Sequence, residues 1–458
     1  MSLNPAERPG DGVVPDGGRL DPRRDRRRRE GAGKPAAAAP EAATAAAAEP
    51  GPGDGGRIVE TSRWRLRAPD HVSQDSPLVC VPTVHQRGDS RVLRCAQDAL
   101  DAGFRVRLIW LSDDQDPSTD PAVGETLMRS AHSRADRLRV VARLAGAARR
   151  EQADLWHIHD FYLLAQARRW RRQTGRPVIY DVHEYYGIVY SGKVRAPAAV
   201  RRWLARRIDT YQVRSARKLG AVNAAAEGIA RTFASSGAAV VTTLNAPLGA
   251  PFLSVPLVPF SQRARRVVHI GTLNEDYGMR RVVRIAAEAQ RRGLPHTFDL
   301  VDRFHNDAER AAFARYLEED GDPANLRIIP AVPSHRLGEL LSGYGVGLAV
   351  FSRTSQNDLS MPGKLFEYSV MGLAIVCTDA PAQQRFAQQW AVARPCAGEN
   401  VGAFVDALED LDARAVELDA AVADKAALAR RSLTWEAMSA PKLRGLYREL
   451  RAQLDGAG

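Results

Sequence analysis

At 458 residues, with 45% hydrophobic and 26% charged residues, the chain is too long for one ordinary domain and apolar enough to bury two cores. Formal net charge is +11, but the first sixty residues balance ten Arg/Lys against ten Asp/Glu, so the excess belongs to the rest of the chain. No nucleic-acid partner is expected; an anionic lipid surface or a phosphorylated small molecule fits a basic body equally well.

Residues 1–76 are dominated by Pro, Gly, Ala and Arg, as in RDRRRREGAGKPAAAAPEAATAAAAEPGPGDGG, and hold no apolar period. They are expected to form a disordered tail. Cys80, Cys95, Cys377 and Cys396 lie far apart without zinc-ligand spacing, so neither a metal centre nor a disulfide framework is expected. Three of them sit in or beside apolar strand runs and read as buried thiols in a reducing compartment. No apolar run approaches the roughly 20 residues a membrane span needs. A cytoplasmic protein is the expectation.

From Pro77 onward, short β-branched runs alternate with helical patterns, the mark of parallel sheets with crossover helices. PLVCVPTV, RVRLIWLS, ADLWHIHD, PVIYDVHE, KLGAVNAA and VVTTLNA read as the strands of a first domain, 77–256. Between the first two, DSRVLRCAQDALDAGF places Val92, Cys95, Ala96, Ala99 and Leu100 at helical spacing, with Asp89 or Ser90 as cap and Gly103 as stop. After the Pro-rich passage NAPLGAPFLSVPLVPF, a second series follows: RRVVHIGT, HTFDLVD, LRIIPAV, GVGLAVF, LAIVCTD and WAVARPC, in a second domain, 262–430. The fold class expected is α/β, with two doubly wound Rossmann-like domains facing a cleft. Chemistry belongs at the carboxyl ends of the strands.

Three strand-end features stand out. In MPGKLFEYSVMGLAIVCTDAP, Pro362 opens a helix whose free N-terminal amides suit a diphosphate, with Lys364 and Glu367 on one face. Glu367 has the two acceptors that a ribose diol needs; the plain alternative is a Lys364–Glu367 surface pair worth a few tenths of a kcal/mol. In WHIHD, His157 and His159 share a strand face and HxH can ligate a metal, but no third ligand is evident. His159 and Asp160 are expected to line the cleft and His157 to be structural. Asp114-Gln115-Asp116, followed by Pro117, reads as a turn.

The segment PGKLFEYSVMGLAIVCTD resembles the carboxyl-terminal signature of the GT4-like group of GT-B glycosyltransferases. DSRVLRCAQDALDAGFRV is similar to the group's first amino-domain helix, and DLWHIHD and YDVHE to its cleft-facing strand ends. LNAP resembles its linker, and LTWEAMSAPKLRGLYREL its closing helix, which packs back on the first domain from residues 431–458. Together these stretches span roughly Pro77 to Leu450.

The resemblance implies sugar transfer from a nucleotide-sugar donor to a glycan, lipid-linked or small-molecule acceptor, with retained configuration and no cofactor or required metal. It implies that Glu367 binds the donor ribose and that His183 acts near the reacting centre. Pro362, Gly363, Lys364, Gly271 and Thr272 are expected around the donor phosphates, and Asp89, His159, Asp160 and Glu184 on the acceptor side. Two positions depart from the pattern. Leu359 stands where the group often has a second carboxylate, with Asp358 adjacent as a substitute. GTLNEDYGMRR lacks the group's Arg and Lys in register, which leaves Arg280, Arg353 and Lys364 as the expected diphosphate cations.

Residues 193–218 hold nine Arg/Lys and one Asp, with Val200, Trp203, Leu204, Ile208 and Tyr211 on one helical face. Such a helix suits either peripheral contact with an anionic inner membrane face or a solvated surface over an apolar seam. The architecture alone also fits a nucleotide-sugar epimerase or a non-catalytic sugar-nucleotide binder.

Overall fold

The computed structural model describes residues 56–456 apart from 62–63, 115, 130–133, 160, 305 and 355–356. Of the expected tail, residues 1–55 lie outside the described residues, but the stretch that follows is folded. Strands β1 (Gly56–Glu60) and β2 (Arg65–Pro69) form an antiparallel hairpin whose Val59, Trp64, Leu66 and Ala68 are buried in the first domain's core.

The first domain's sheet holds seven parallel strands. These are β3 (Leu78–Gln86), β4 (Arg105–Leu111), β5 (Val123–Met128), β6 (Leu155–Ile158), β7 (Val178–Val182), β8 (Gly220–Ala224) and β9 (Ala239–Thr242). Their order is β5-β4-β3-β6-β7-β8-β9, so the winding reverses between β3 and β6. Most of these strands are apolar on both faces because crossover helices cover both sides. Strand β5, at the edge, escaped the sequence pattern because it carries a buried acid, Glu125. That carboxylate accepts from Trp64 Nε1 at 2.7 Å, Trp110 Nε1 at 2.9 Å, the Ser118 amide at 2.8 Å and the Arg87 guanidinium at 2.6 and 3.0 Å. Arg87 also pairs with Asp114, so the Asp-Gln-Asp stretch faces a protein cation.

Pro82 has no amide hydrogen for the ladder, and the β3–β4 register shifts between Pro82 and Gln86. On the other side, the β3–β6 ladder ends at Cys80 and Trp156. Residues 83–85 therefore leave the ladder where the winding reverses, before Gln86 pairs with Leu111 again.

The second domain repeats the plan with β10 (Arg266–His269), β11 (Thr297–Val301), β12 (Leu326–Ile329), β13 (Val346–Ala349), β14 (Ala374–Thr378) and β15 (Ala393–Cys396). The order is β12-β11-β10-β13-β14-β15, all parallel, with reversal between β10 and β13. The chain then returns. Helix Ala440–Asp455 lays Leu443, Leu446, Tyr447 and Leu450 into the first domain's core, and Trp435 just before it donates to Asp98 at 2.8 Å. In helix Ala198–Leu219 the apolar seam divides: Ile208 and Tyr211 pack on the first domain, whereas Val200 and Trp203 are exposed.

Replacing Glu125 with Ala leaves the Arg87 guanidinium buried without its main partner and frees two indole N–H groups. Chemical denaturation is expected to show a loss of about 3–5 kcal/mol, and a change below about 1 kcal/mol, the scale of a surface pair, would contradict this account of the hairpin.

Candidate active site between the two domains

The second domain's wall is built on helix Gly363–Val370. Its N-cap, Pro362, is extended and no side chain caps the first turn, so the leading amides are open to a ligand. Tyr368 anchors the helix at the point of strand reversal, where its hydroxyl accepts from the Ile270 amide at 3.1 Å. One residue earlier, Glu367 is partly buried and its carboxylate makes no hydrogen bond or ion pair among the described residues. Burial pushes this carboxyl above its usual range, opposed by the Arg94, Arg303 and Lys364 cations.

Lys364 lies in the wall itself, with Nζ 3.2 Å from His269 Nε2 and 4.9 Å from the Phe351 ring centroid. Burial pushes its ammonium down to about 7, against the pull of Glu367. Gly271 has φ +97° and a Cβ there would come within 3.3 Å of Lys364 Cε, so this position keeps both the turn and the lysine's room.

The first domain's wall is organised by Asp181 in β7. Arg91 Nε bonds its Oδ1 at 2.9 Å, Asn223 bonds its Oδ2 at 2.6 Å, and His157 Nε2 lies 3.3 Å from the same oxygen. Burial would raise this carboxyl, but Arg91 and the neighbouring histidines hold it well below the usual carboxylate range. An anion only accepts, so His157 presents its N–H to Asp181 and takes the Tyr447 hydroxyl hydrogen on Nδ1 at 2.6 Å. Burial keeps His157 and His159 neutral by lowering both. His183 Nε2 lies 3.0 Å from Asp181 Oδ1 and 3.1 Å from His159 Nδ1.

Cys95, His157, His159 and Asp181 bring four potential ligand atoms within 4.8 Å of one another, so partners for the HxH pair exist that were not evident in the sequence. Arg91 already stands as the counter-cation of Asp181, and both carboxylate oxygens are engaged. Around Asp181 the cluster is a hydrogen-bonded ion-pair network, in which His159 Nε2 is left without a partner among the described residues.

The structure gathers many of the expected residues. Pro362, Gly363, Lys364 and Glu367 share one helix start; Gly271 packs on Lys364, and Thr272 follows it in the loop. The two walls meet: Glu184 acts electrostatically on Tyr277 of the second domain, and Arg94 on Glu367. Asp89 caps helix Ser90–Asp101 by accepting from the Arg91 and Val92 amides, while His159 is fully buried. Asp160 lies outside the described residues. Two expected diphosphate cations are engaged elsewhere. Arg280 pairs with Glu319 and Asp320 and stacks on Tyr316; Arg353 pairs with Asp358 and Asp379, which also removes Asp358 as a free substitute for the missing carboxylate.

Arg91, Arg94, Arg303 and His85 were missed in the sequence. Arg94 lies 5.0 Å from the Trp435 ring, and its buried Nε has no partner among the described residues. Arg91, Arg94 and Asp98 follow i, i+3, i+7 on one helix face, a periodicity that marks a second buried face opposite the apolar one.

Residues 89–241 match the family model described as Glycosyltransferase Family 4. The sucrose-phosphate synthase structure from Thermosynechococcus elongatus aligns with TM-score 0.63 at 14% identity, covering 83% of this chain and all of that one. The Anabaena protein HepE, solved with UDP, aligns at 0.57 and 10% identity, covering 83% and 100%. The trehalose 6-phosphate synthase from Burkholderia multivorans aligns at 0.57 and 13%, covering 83% and 99%. No curated protein sequence matches the chain. At these identities the structural likeness establishes the fold, and the family match falls on the domain that carries the histidine and Asp181 network. The chain thus shares the two-domain fold of these glycosyltransferase structures, and its residues 89–241 are similar to Glycosyltransferase Family 4.

Proposed function

We propose that the chain moves a sugar from a nucleotide-sugar donor to a hydroxyl of a glycan, lipid-linked or small-molecule acceptor, with retained configuration and no required metal. The observation that carries this reading is Glu367, a partly buried carboxylate with no hydrogen-bonding partner among the described residues, on the helix whose first turn presents open amides. In this reading Glu367 takes the ribose diol, while the amides of Gly363 and Lys364, with the Lys364 ammonium, take the diphosphate. Gly271 and Thr272 border that phosphate site. HepE was solved with UDP and with UDP-glucose, which supports a nucleoside-diphosphate sugar as donor class.

Developing negative charge on the leaving diphosphate is met by Lys364 and by the helix N-terminus, both fixed before the substrate arrives. His183 at the end of β7 serves the sugar, and Asp181 fixes its ring. Asp89 and Glu184 border the acceptor's approach.

Glu367→Ala is expected to weaken nucleoside diphosphate binding by about tenfold or more, whereas His183→Ala spares it and depresses turnover of the complete donor. Calorimetry with free diphosphates and a product assay across a donor panel separate the two. Unchanged diphosphate affinity in Glu367→Ala would remove the ribose role. Sugar interconversion without release of diphosphate would mark an epimerase, and binding without either a non-catalytic binder.

Lys364 adds a pH dependence. Its ammonium, down at about 7 in the empty cleft, rises when a diphosphate supplies counter-charge, so binding above pH 7 takes up a proton. Affinity is expected to fall by up to about tenfold per pH unit above that point, with matching proton uptake in calorimetry across two buffers. Lys364→Met should abolish the uptake; its persistence would assign it to another group.

Peripheral contact with an anionic inner membrane surface through residues 193–218 belongs to the same reading. No helix among the described residues is long and apolar enough to cross a membrane. Exposed Val194, Val200 and Trp203 stand beside exposed Arg201, Arg202, Arg206 and Arg207, an apolar tip in a basic field. Changing Arg202, Arg206 and Arg207 to Glu is expected to reduce co-sedimentation with phosphatidylserine vesicles and leave diphosphate binding intact. Equal sedimentation of both proteins would return this helix to a solvated face.

A further inference from the structure

We propose that Arg94, on the first domain's helix Ser90–Asp101, is a further donor-binding residue that grips the ribose diol from the side opposite Glu367, an inference that rests on the ribose reading above. One face of that helix carries Arg91, Arg94 and Asp98 on successive turns, all buried. Arg91 is spent on Asp181, the Thr243 carbonyl and Asn245. Asp98, the acid one turn beyond Arg94, is taken on both oxygens, by Trp435 Nε1 at 2.8 Å and by Arg444 Nε at 2.8 Å. Arg94 is left with no hydrogen bond or ion pair among the described residues, although it is only 8% exposed and lies 5.0 Å from the Trp435 ring centroid. Burial and the neighbouring Arg91 push its ionisation down. A cation kept in such a place without acceptors calls for a ligand that supplies them.

The helix across the cleft says which ligand. Gly363, at the start of helix Gly363–Val370, lies against the linker: a Cβ there would stand 3.5 Å from the Asn245 carbonyl oxygen, and the Asn245 side chain accepts from Arg91 at 2.9 Å. From this shared point, Arg94 is one turn along its helix from Arg91, and Glu367 one turn along from Gly363. The two turns lead to one place, because Arg94 and Glu367 act on each other electrostatically, with Arg94 first among the cations that oppose burial of the carboxyl. No hydrogen bond or ion pair joins them among the described residues.

A ligand that satisfies both groups must donate to the carboxylate and accept from the guanidinium. A vicinal diol does so: each hydroxyl gives its hydrogen to Glu367 and keeps lone pairs for the planar N–H fork of Arg94. A phosphate oxygen only accepts, so it would suit Arg94 and leave Glu367 unserved. With one grip from each domain, affinity for the donor is also affinity between the two walls.

The test measures, by calorimetry on the full chain, affinity for whichever of ADP, GDP and UDP the parent binds most tightly and for the 2′,3′-dideoxy form of the same nucleotide. The parent is expected to favour the ribonucleotide by about tenfold or more. Arg94→Met, which keeps an apolar chain over Trp435, should weaken the ribonucleotide by about tenfold and leave the dideoxy form within about twofold of the parent. Arg94→Lys is the second variant should the first unfold: it keeps a cation at the indole but loses most of the same preference with the planar fork. A variant that folds and keeps the parent's full preference for the ribonucleotide would overturn the proposal. So would an equal loss for both ligands, which would move Arg94 to the diphosphate. A parent that binds both forms equally would instead remove the ribose reading of Glu367, and this proposal with it.

Discussion

The buried carboxylate of Asp181 is the constraint on which the first domain and its approach to the second depend. Arg91, which neutralises it, also bonds the Thr243 carbonyl and the Asn245 side chain, so the same guanidinium fastens β7, the first crossover helix and the start of the linker. Through His157 the charge reaches Tyr447, on the helix that returns from the second domain. Removing one partner of such a network leaves a bare charge in a dry interior, at a cost of about 3–5 kcal/mol. Strand end, linker and returning helix are therefore held in one arrangement, and His183 inherits its orientation from it.

The two walls of the cleft differ in electrostatic character. On the first, the carboxylates at the sheet end are saturated: Asp181 by Arg91 and Asn223, Asp89 by His85 and two amides. Such groups hold geometry and set tautomers. On the second, Glu367 has cations nearby but no hydrogen-bonding partner among the described residues, and Lys364 rests against a neutral imidazole and an aromatic face. Groups left short of partners in a buried setting are those whose protonation responds to a ligand. A rigid wall thus faces a responsive one.

The legible part of the sequence was the part written in local periodicity. Runs such as VVHI and AIVC announce strands because every residue in them is buried, and the PGKLFEY segment announces its helix and its acid by resemblance. The hairpin Gly56–Pro69 was hidden because its apolar residues alternate with Arg and Glu beside a Gly-rich stretch, and only Glu125, sixty-one residues after Trp64, gives its indole a partner. Strand β5 was hidden by that same acid. Sequence proximity to the phosphate loop says nothing of Asp320 and Asp379, the carboxylates with which Arg280 and Arg353 pair. The partners of Arg91 lie 90 and 152 residues along the chain, beyond any window of periodicity.

The returning helix also orders events during synthesis. Leu443, Leu446, Tyr447 and Leu450 belong to the core that begins with Val59 and Trp64, and the whole second sheet is translated between them. While the ribosome makes that second domain, the first has all seven of its parallel strands but an open apolar groove along the helix Ser90–Asp101. At a rate of about 5–20 residues per second, the stretch from Thr242 to Leu443 keeps the groove waiting for about 10–40 s. Over that interval the nascent chain offers a sticky, unsealed face to chaperones and to neighbouring nascent chains, and translation speed through the second domain becomes a determinant of how much protein reaches its native state.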